Sequence, residues 1–226
     1  MKISSEFSKY AQHYGSYNII QQKVADRLLE KVKTDPKNIL DLGCGSGTLA
    51  NKISWDYEKL IGIDFAKGML DLHPTSNKIE CIYGSFNDTE LFNTLNNYKF
   101  DHVFSASALQ WAYDLEKTFH SIRTLQAPVA LAIFTANTFA TLYKTAGLEP
   151  LLVDAQTLDV LQQKYFHANF EVVNYKLEFE NIRDMFRYIK KSGVSGSRNV
   201  LSYKQMKQLM QKYPLNYLEF EVAFIY

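Results

Sequence analysis

Five short apolar runs constrain this chain more than any other feature. They cover residues 38–42, 60–64, 79–83, 100–105 and 129–134, and patterns of helical period, such as 115–125, lie between them. Runs of five or six residues without polar alternation suit strands buried on both faces, and helices between such strands act as crossovers. The pattern predicts an α/β fold with a parallel sheet.

The flanks complete the plan. Ile19, Ile20, Val24, Leu28, Leu29 and Val32 follow the helical period, and Asp35-Pro36 ends that helix because a residue before proline avoids the helical region. After residue 145 the pattern predicts a helix at 154–166, a strand at 170–177, helices at 181–191 and 203–212, and a final strand at 217–226. Seven strands result, the last two close enough in sequence to pair antiparallel. With no repeat and no proline-rich linker, residues 1–226 read as a single domain.

Composition removes several classes of function. Apolar residues are 46% of the chain and charged residues 22%, which excludes disorder, and a net charge of +1 excludes a generic binder of nucleic acid or membrane. No apolar run approaches the roughly 20 residues of a bilayer span, and Met1 to Glu6 lacks a secretory apolar stretch. The cysteines, Cys44 and Cys81, read as reduced thiols of a cytoplasmic protein. The five histidines share no ligand spacing, so no metal is expected.

The chemistry concentrates where the first strand ends. Asp41-Leu42-Gly43-Cys44-Gly45-Ser46-Gly47 precedes a helix expected from about Thr48. Glycines there let the backbone turn sharply and approach a ligand, and amides at a helix start favour an anionic group. Asp64 closes the second strand, where an acid can accept the hydroxyls of a ribose. A bare tight turn with a surface aspartate would share this composition. The order strand, turn, helix, strand, acid favours a nucleoside ligand. The dinucleotide fingerprint fails because Thr48 stands where its third glycine belongs, and the triphosphate loop fails because no lysine follows Gly47.

The spacing Asp-x-Gly-x-Gly-x-Gly resembles the first motif of class I S-adenosylmethionine-dependent methyltransferases, with Asp64 at their ribose-binding acid. The resemblance implies a Rossmann-like seven-stranded, mostly parallel sheet flanked by helices, its last strand antiparallel. It implies S-adenosylmethionine as cofactor, S-adenosylhomocysteine as product, and contacts from Asp41, Gly43, Gly45, Gly47 and Asp64. Phe65, Met69 and Phe86, with Gly84 and Ser85 beside the last, fall where the family holds adenine; Ser85 replaces a frequent aspartate. After the fourth strand, Ser105, Ala106 and Leu109 border the cofactor, while Gln110 and Trp111 wall the acceptor side.

Leu109-Gln110-Trp111 is similar to the same stretch in the malonyl-acyl carrier protein O-methyltransferases of biotin synthesis. Phe7, Ala11, Tyr14 and Gln21 resemble that family's opening pattern, with Gly15 in place of its aspartate. Segment 135–142, the Lys190-Lys191-Ser192-Gly193-Val194 stretch and Pro214-Leu215-Asn216-Tyr217 resemble its later signatures. The resemblance implies an N-terminal lid at about 1–34, with Tyr10 and Tyr14 against the cofactor. It implies Tyr14, Gln110 and Trp111 as catalytic or positioning residues, and malonyl-loaded acyl carrier protein as substrate.

One segment breaks the overall neutrality. Residues 183–212 hold eight basic residues and one acid, a net +7, which leaves −6 for the rest of a chain totalling +1. Such a segment reads as a helical basic insert at about 181–212 that meets an anionic partner. An acidic protein fits best, ahead of RNA and of membrane, so neither nucleic acid nor membrane is expected. Arg187, Lys190, Lys191 and Arg198 are the candidate contacts. Two other readings stay open: methyl transfer to another small acid or amine, and a nucleoside- or RNA-binding regulator without catalysis.

Overall fold

A computed structural model describes residues 17–191 and 201–226, with the backbone alone of Lys190 and Lys191. Strands β1 (Asn38–Leu42), β2 (Lys59–Asp64), β3 (Ile79–Tyr83), β4 (His102–Ala106), β5 (Val129–Phe134), β6 (Phe170–Glu178) and β7 (Tyr217–Ile225) form one sheet. Its order is β3-β2-β1-β4-β5-β7-β6. Every neighbouring pair is parallel except those of β7, which runs antiparallel to both β5 and β6. The expected fold class is therefore the observed one. The order reverses between β1 and β4, and the carboxyl ends of strands at such a reversal open a crevice for ligands.

Eight helices accompany the strands among the described residues: α1 (Ile19–Lys31), α2 (Lys67–Leu70), α3 (Thr89–Leu95), α4 (Leu115–Thr124), α5 (Ala140–Ala146), α6 (Ala155–Tyr165), α7 (Ile182–Lys191) and α8 (Tyr203–Lys212). Their starts are written in the sequence. Asp114 and Asp154 accept backbone N–H bonds from Lys117 and Thr157, and Ser202 with Gln205 forms a reciprocal capping box. Each such cap contributes about 1 kcal/mol.

The strands alternate between two cores. Leu40, Leu42, Ile61, Ile63 and Val103 face one side, where Phe119 and Ile122 of α4 and Leu158 of α6 cover them. Ile39, Leu60 and Phe104 face the other, beneath Ile20, Val24 and Leu28 of α1 and Met185 of α7. Asp41 and Asp64 share the second side, two residues on from Ile39 and four on from Leu60.

Two expectations change. The helix from Thr48 does not form. Residues 45–52 make a run of turns instead, closed by Asn51 N–H to Gly47 O at 2.9 Å and Ile53 N–H to Leu49 O at 3.1 Å. Trp55 donates its ring N–H to Pro36 O, which draws the chain back toward the sheet after one turn. The fourth strand starts at His102 rather than residue 100, because Asp101 turns its carboxylate onto the amides of Lys37 and Asn38. The described part of the lid region is α1, a sheet-covering helix with Ile20, Val24, Ala25 and Leu28 fully buried. The basic insert is likewise seated: Met185, Tyr188 and Ile189 of α7 are buried on Phe139 and Phe220. No helix among the described residues is long and apolar enough to cross a membrane.

Candidate functional site

The carboxyl ends of β1, β2 and β4 surround a cleft of about 670 Å³ that opens to solvent. Asp41, Gly43, Gly45, Asp64, Phe65, Met69, Ala106 and Trp111 line it, which unites eight of the predicted site residues. Gly43 and Gly45 both adopt positive φ, +76° and +54°. A Cβ on Gly43 would lie 2.2 Å from the Ala108 Cβ, so only glycine lets the loop after β4 close against the turn. A Cβ on Gly45 would meet nothing within 4 Å and would project into open space. Gly47 (φ +81°) has a third role, packing: a Cβ there would strike the Pro74 ring at 2.3 Å.

Two buried acids set the electrostatics. Asp64 accepts the Gly45 N–H at 2.9 Å on one oxygen and the Ala66 N–H at 2.7 Å on the other. A carboxylate has about four acceptor positions, so capacity remains for ligand hydroxyls. Burial raises the Asp64 pKa, and the amides of Ala66, Gly45 and Phe65 counter the rise. Asp41 is pushed up to about 7, first by burial and then by the charges of Asp64 and Cys81. Asp41 and Asp64 are in no salt bridge among the described residues. A ligand bearing positive charge would relieve the repulsion between them.

The remaining predicted residues stand around the cleft rather than in its wall. Phe86 is buried, edge-on to Phe65 with ring centroids 6.4 Å apart. Gly84 donates its N–H to Asp64 O, and the Ser85 hydroxyl accepts from Asn87. Ser105 is fully buried and donates to Leu42 O at 2.7 Å, which ties β4 to β1. Leu109 is fully buried in the first core, so its side chain packs there instead of bordering the cleft. Gln110 donates to Ser107 O at 2.7 Å. Tyr10, Tyr14 and Arg198 lie outside the described residues, as do the side chains of Lys190 and Lys191. Arg187 is exposed on α7 and paired with Asp184.

The cleft also contains side chains that the motif alone did not indicate. Gln21 of α1 and Ser107 and Ala108 of the loop after β4 join its wall. Gln21 Oε1, Ser107 Oγ and the neighbouring Gln110 Oε1 are buried without a hydrogen-bond partner among the described residues. Ser107 holds φ +65°, uncommon for a residue with a side chain. Unsatisfied buried oxygens cost roughly 1–3 kcal/mol each, and a ligand carrying donors would satisfy them. The bare glycine turn, the orphaned oxygens and the paired acids therefore fit a cationic, hydroxyl-bearing nucleoside such as S-adenosylmethionine. No cluster of three or more potential metal ligands occurs among the described residues.

Known proteins place this site in a family. The family model described as "Methyltransferase domain" matches residues 39–128, from β1 to the start of β5. Asp41, the glycine turn and Asp64 all fall within the matched residues, so the site lies in a methyltransferase domain. It is similar to the malonyl-[acyl-carrier protein] O-methyltransferase of Buchnera aphidicola subsp. Baizongia pistaciae, at 25% identity over 95% of this chain and 91% of that protein. The enzyme of the same name from Acetivibrio thermocellus is 31% identical over 59% of this chain and 48% of its own. Among solved structures, the YcgJ protein of Bacillus subtilis superposes with a TM-score of 0.61 at 12% identity, covering 90% of this chain and 97% of that one, a likeness of fold.

Proposed function

We propose that this enzyme methylates the free carboxylate of a malonyl group carried on acyl carrier protein, giving the methyl ester at an early step of biotin synthesis. The observation that carries the reading is the similarity to malonyl-[acyl-carrier protein] O-methyltransferases, which extends beyond the methyltransferase domain to nearly the whole chain. The exposed basic residues of α7 and α8, Arg183, Arg187, Lys204 and Lys207 among them, support an acidic macromolecular substrate.

S-adenosylmethionine supplies an electrophilic methyl group on a cationic sulfur. The chain's own residues position and enclose. Asp64 would hold ribose hydroxyls with its free acceptor positions, Phe65 and Met69 would flank adenine, and Gln21 and Asp41 would meet the methionine ammonium. Trp111 walls the acceptor side, and Gln110, with Tyr14 and Tyr10 from the N-terminal segment, completes the positioning. No base is required, because a carboxyl of ordinary pKa about 4 is ionised near neutral pH. Catalysis then rests on alignment, which can supply roughly 7–11 kcal/mol.

The test compares malonyl-acyl carrier protein with free malonate as acceptor, following methyl ester formation by mass spectrometry. Turnover of the carrier-bound group is expected. Turnover of the free acid alone would remove the carrier and leave a small-acid methyltransferase; methylation of neither would overturn the reading.

A further inference from the structure

The two cysteines, 37 positions apart in sequence, meet at Gly62. Cys44 lies in the glycine turn, and its sulfur would be 2.9 Å from a Cβ built on Gly62. Cys81 is the register partner of Gly62 on β3, so its side chain leaves the sheet on the same face. The Cys44 sulfur thus occupies the place of the missing Gly62 side chain, directly beside Cys81, with its S–H directed to Gly45 O at 3.9 Å. Cys44 is buried, whereas Cys81 is exposed on the edge strand.

A third group completes the cluster. His73 is buried, and its Nε2 lies 3.5 Å from the same Gly62 Cβ position without a hydrogen-bond partner among the described residues. Its Nδ1 is 3.0 Å from Pro74 O, an acceptor, so Nδ1 carries the proton and Nε2 presents a lone pair. Burial lowers the His73 pKa, which keeps the ring neutral. The neighbouring thiol lowers the Cys81 pKa to about 7, while the same proximity and burial raise that of Cys44. An accessible thiolate beside a buried thiol and a neutral imidazole is the arrangement of an attacked and a resolving cysteine.

We propose that Cys44 and Cys81 form a reversible disulfide under peroxide, and that closing it weakens cofactor binding in the cleft. The Cys81 thiolate attacks one oxygen of the peroxide; the O–O bond breaks, hydroxide leaves, and Cys81 becomes a sulfenic acid. The Cys44 sulfur then attacks the Cys81 sulfur as its proton passes to His73 Nε2. The S–O bond breaks, and the departing hydroxide takes that proton as water. Two electrons pass from the sulfurs to the peroxide.

The bond draws Cys44 from its place beside Cys81 to covalent distance, and the turn has no slack to follow. Gly43 and Cys44 both donate to Ile63 O, at 2.8 and 3.0 Å, Gly45 donates to Asp64, and Gly43 abuts Ala108. Pulling Cys44 toward β3 therefore disturbs the amides that line the cleft. The weakening rests on the cleft being the cofactor site; the disulfide does not.

The experiment treats the reduced full chain with hydrogen peroxide, reads intact mass and peptide linkage, and titrates S-adenosylhomocysteine by calorimetry before oxidation, after it, and after dithiothreitol. The expected result is loss of two hydrogens, a Cys44–Cys81 link, affinity lower by at least roughly tenfold, and recovery on reduction. Peroxide-treated Cys81→Ser, which cannot form the link, should keep the affinity of the reduced chain. Overoxidation without a link, or dimers linked between chains, would overturn the disulfide. A linked chain that binds as tightly as the reduced one would overturn its effect. Failure of the reduced chain to bind at all would overturn the cofactor reading and that effect together, with the mass measurement still deciding the thiol pair.

Discussion

The Gly45 amide and the Asp64 carboxylate stand 2.9 Å apart, and this hydrogen bond joins the turn after β1 to the end of β2. One side chain thereby shapes the cleft and lines it. Asp64→Ala is expected to leave the Gly45 and Ala66 amides without their acceptor, costing roughly 1–3 kcal/mol of stability for each amide that stays dry. Affinity for S-adenosylhomocysteine should fall at least about a hundredfold, since the proposed ribose contact goes with it. Asp64→Asn retains one acceptor oxygen and should lie between. Calorimetry and thermal melting check both; an alanine variant that binds normally would remove Asp64 from the site.

Much of this was legible beforehand, for identifiable reasons. The expected bounds of β1, β3 and β5 coincide with the observed ones, because the runs of β1 and β5 are buried almost throughout and that of β3, half-exposed at the sheet edge, stops at Gly84. Asp41, Gly43, Gly45 and Asp64 are legible as a spacing, since each lies at or just past the carboxyl end of its strand. Gln21 is not legible as a cleft residue because tertiary packing brings it there from α1, remote in sequence from the motif. Leu109 was misplaced because a short 3₁₀ turn at Leu109–Trp111 sends its side chain into the core. Helical period indicated Met185 and Ile189 on the apolar face of α7; Tyr188 joins them because its ring lies against Phe179 and Phe220.

The three glycines of the turn should separate experimentally. Gly43→Ala meets the Ala108 Cβ at 2.2 Å in a left-handed conformation, so the turn or the loop after β4 must move. A loss of roughly 2–4 kcal/mol in stability is expected, together with lost cofactor affinity. Gly45→Ala has free space and should cost only the left-handed strain of about 1–2 kcal/mol. Its methyl group occupies space on the cleft side, so affinity should fall out of proportion to stability. Melting curves beside cofactor titrations read the contrast, and equal behaviour of the two variants would contradict it.

Asp41 makes stability depend on pH in a defined direction. Its carboxyl titrates near 7 in the fold and near 3.8 when unfolded, so between those values the native state binds the extra proton. Stability therefore falls as pH rises from about 4 to about 7 and levels off above it. The dependence attributable to this group, on the order of a few kcal/mol, should disappear in Asp41→Asn. That variant should be the more stable at pH 8 yet bind S-adenosylmethionine less tightly, having lost a negative charge facing a cation. Urea unfolding of both proteins across this range checks the sign. A wild-type stability that climbs over the same interval more steeply than the variant's would refute it.

Arg183 and Arg187 present positive charge on the solvent side of α7, whose opposite side is anchored by Met185 and Ile189. Reversing both to glutamate leaves the buried side intact, so melting temperature and cofactor affinity should stay near wild type. The KM for malonyl-acyl carrier protein should rise by roughly tenfold or more, because like charges at an interface cost several kcal/mol before rearrangement. Added salt should weaken the wild-type reaction while moving the variant little, since screening acts only on the attraction that remains. Extending the reversal to Lys190 and Lys191 should deepen the effect on carrier turnover without a matching loss of cofactor affinity. Equal losses in both would assign these residues to stability rather than docking.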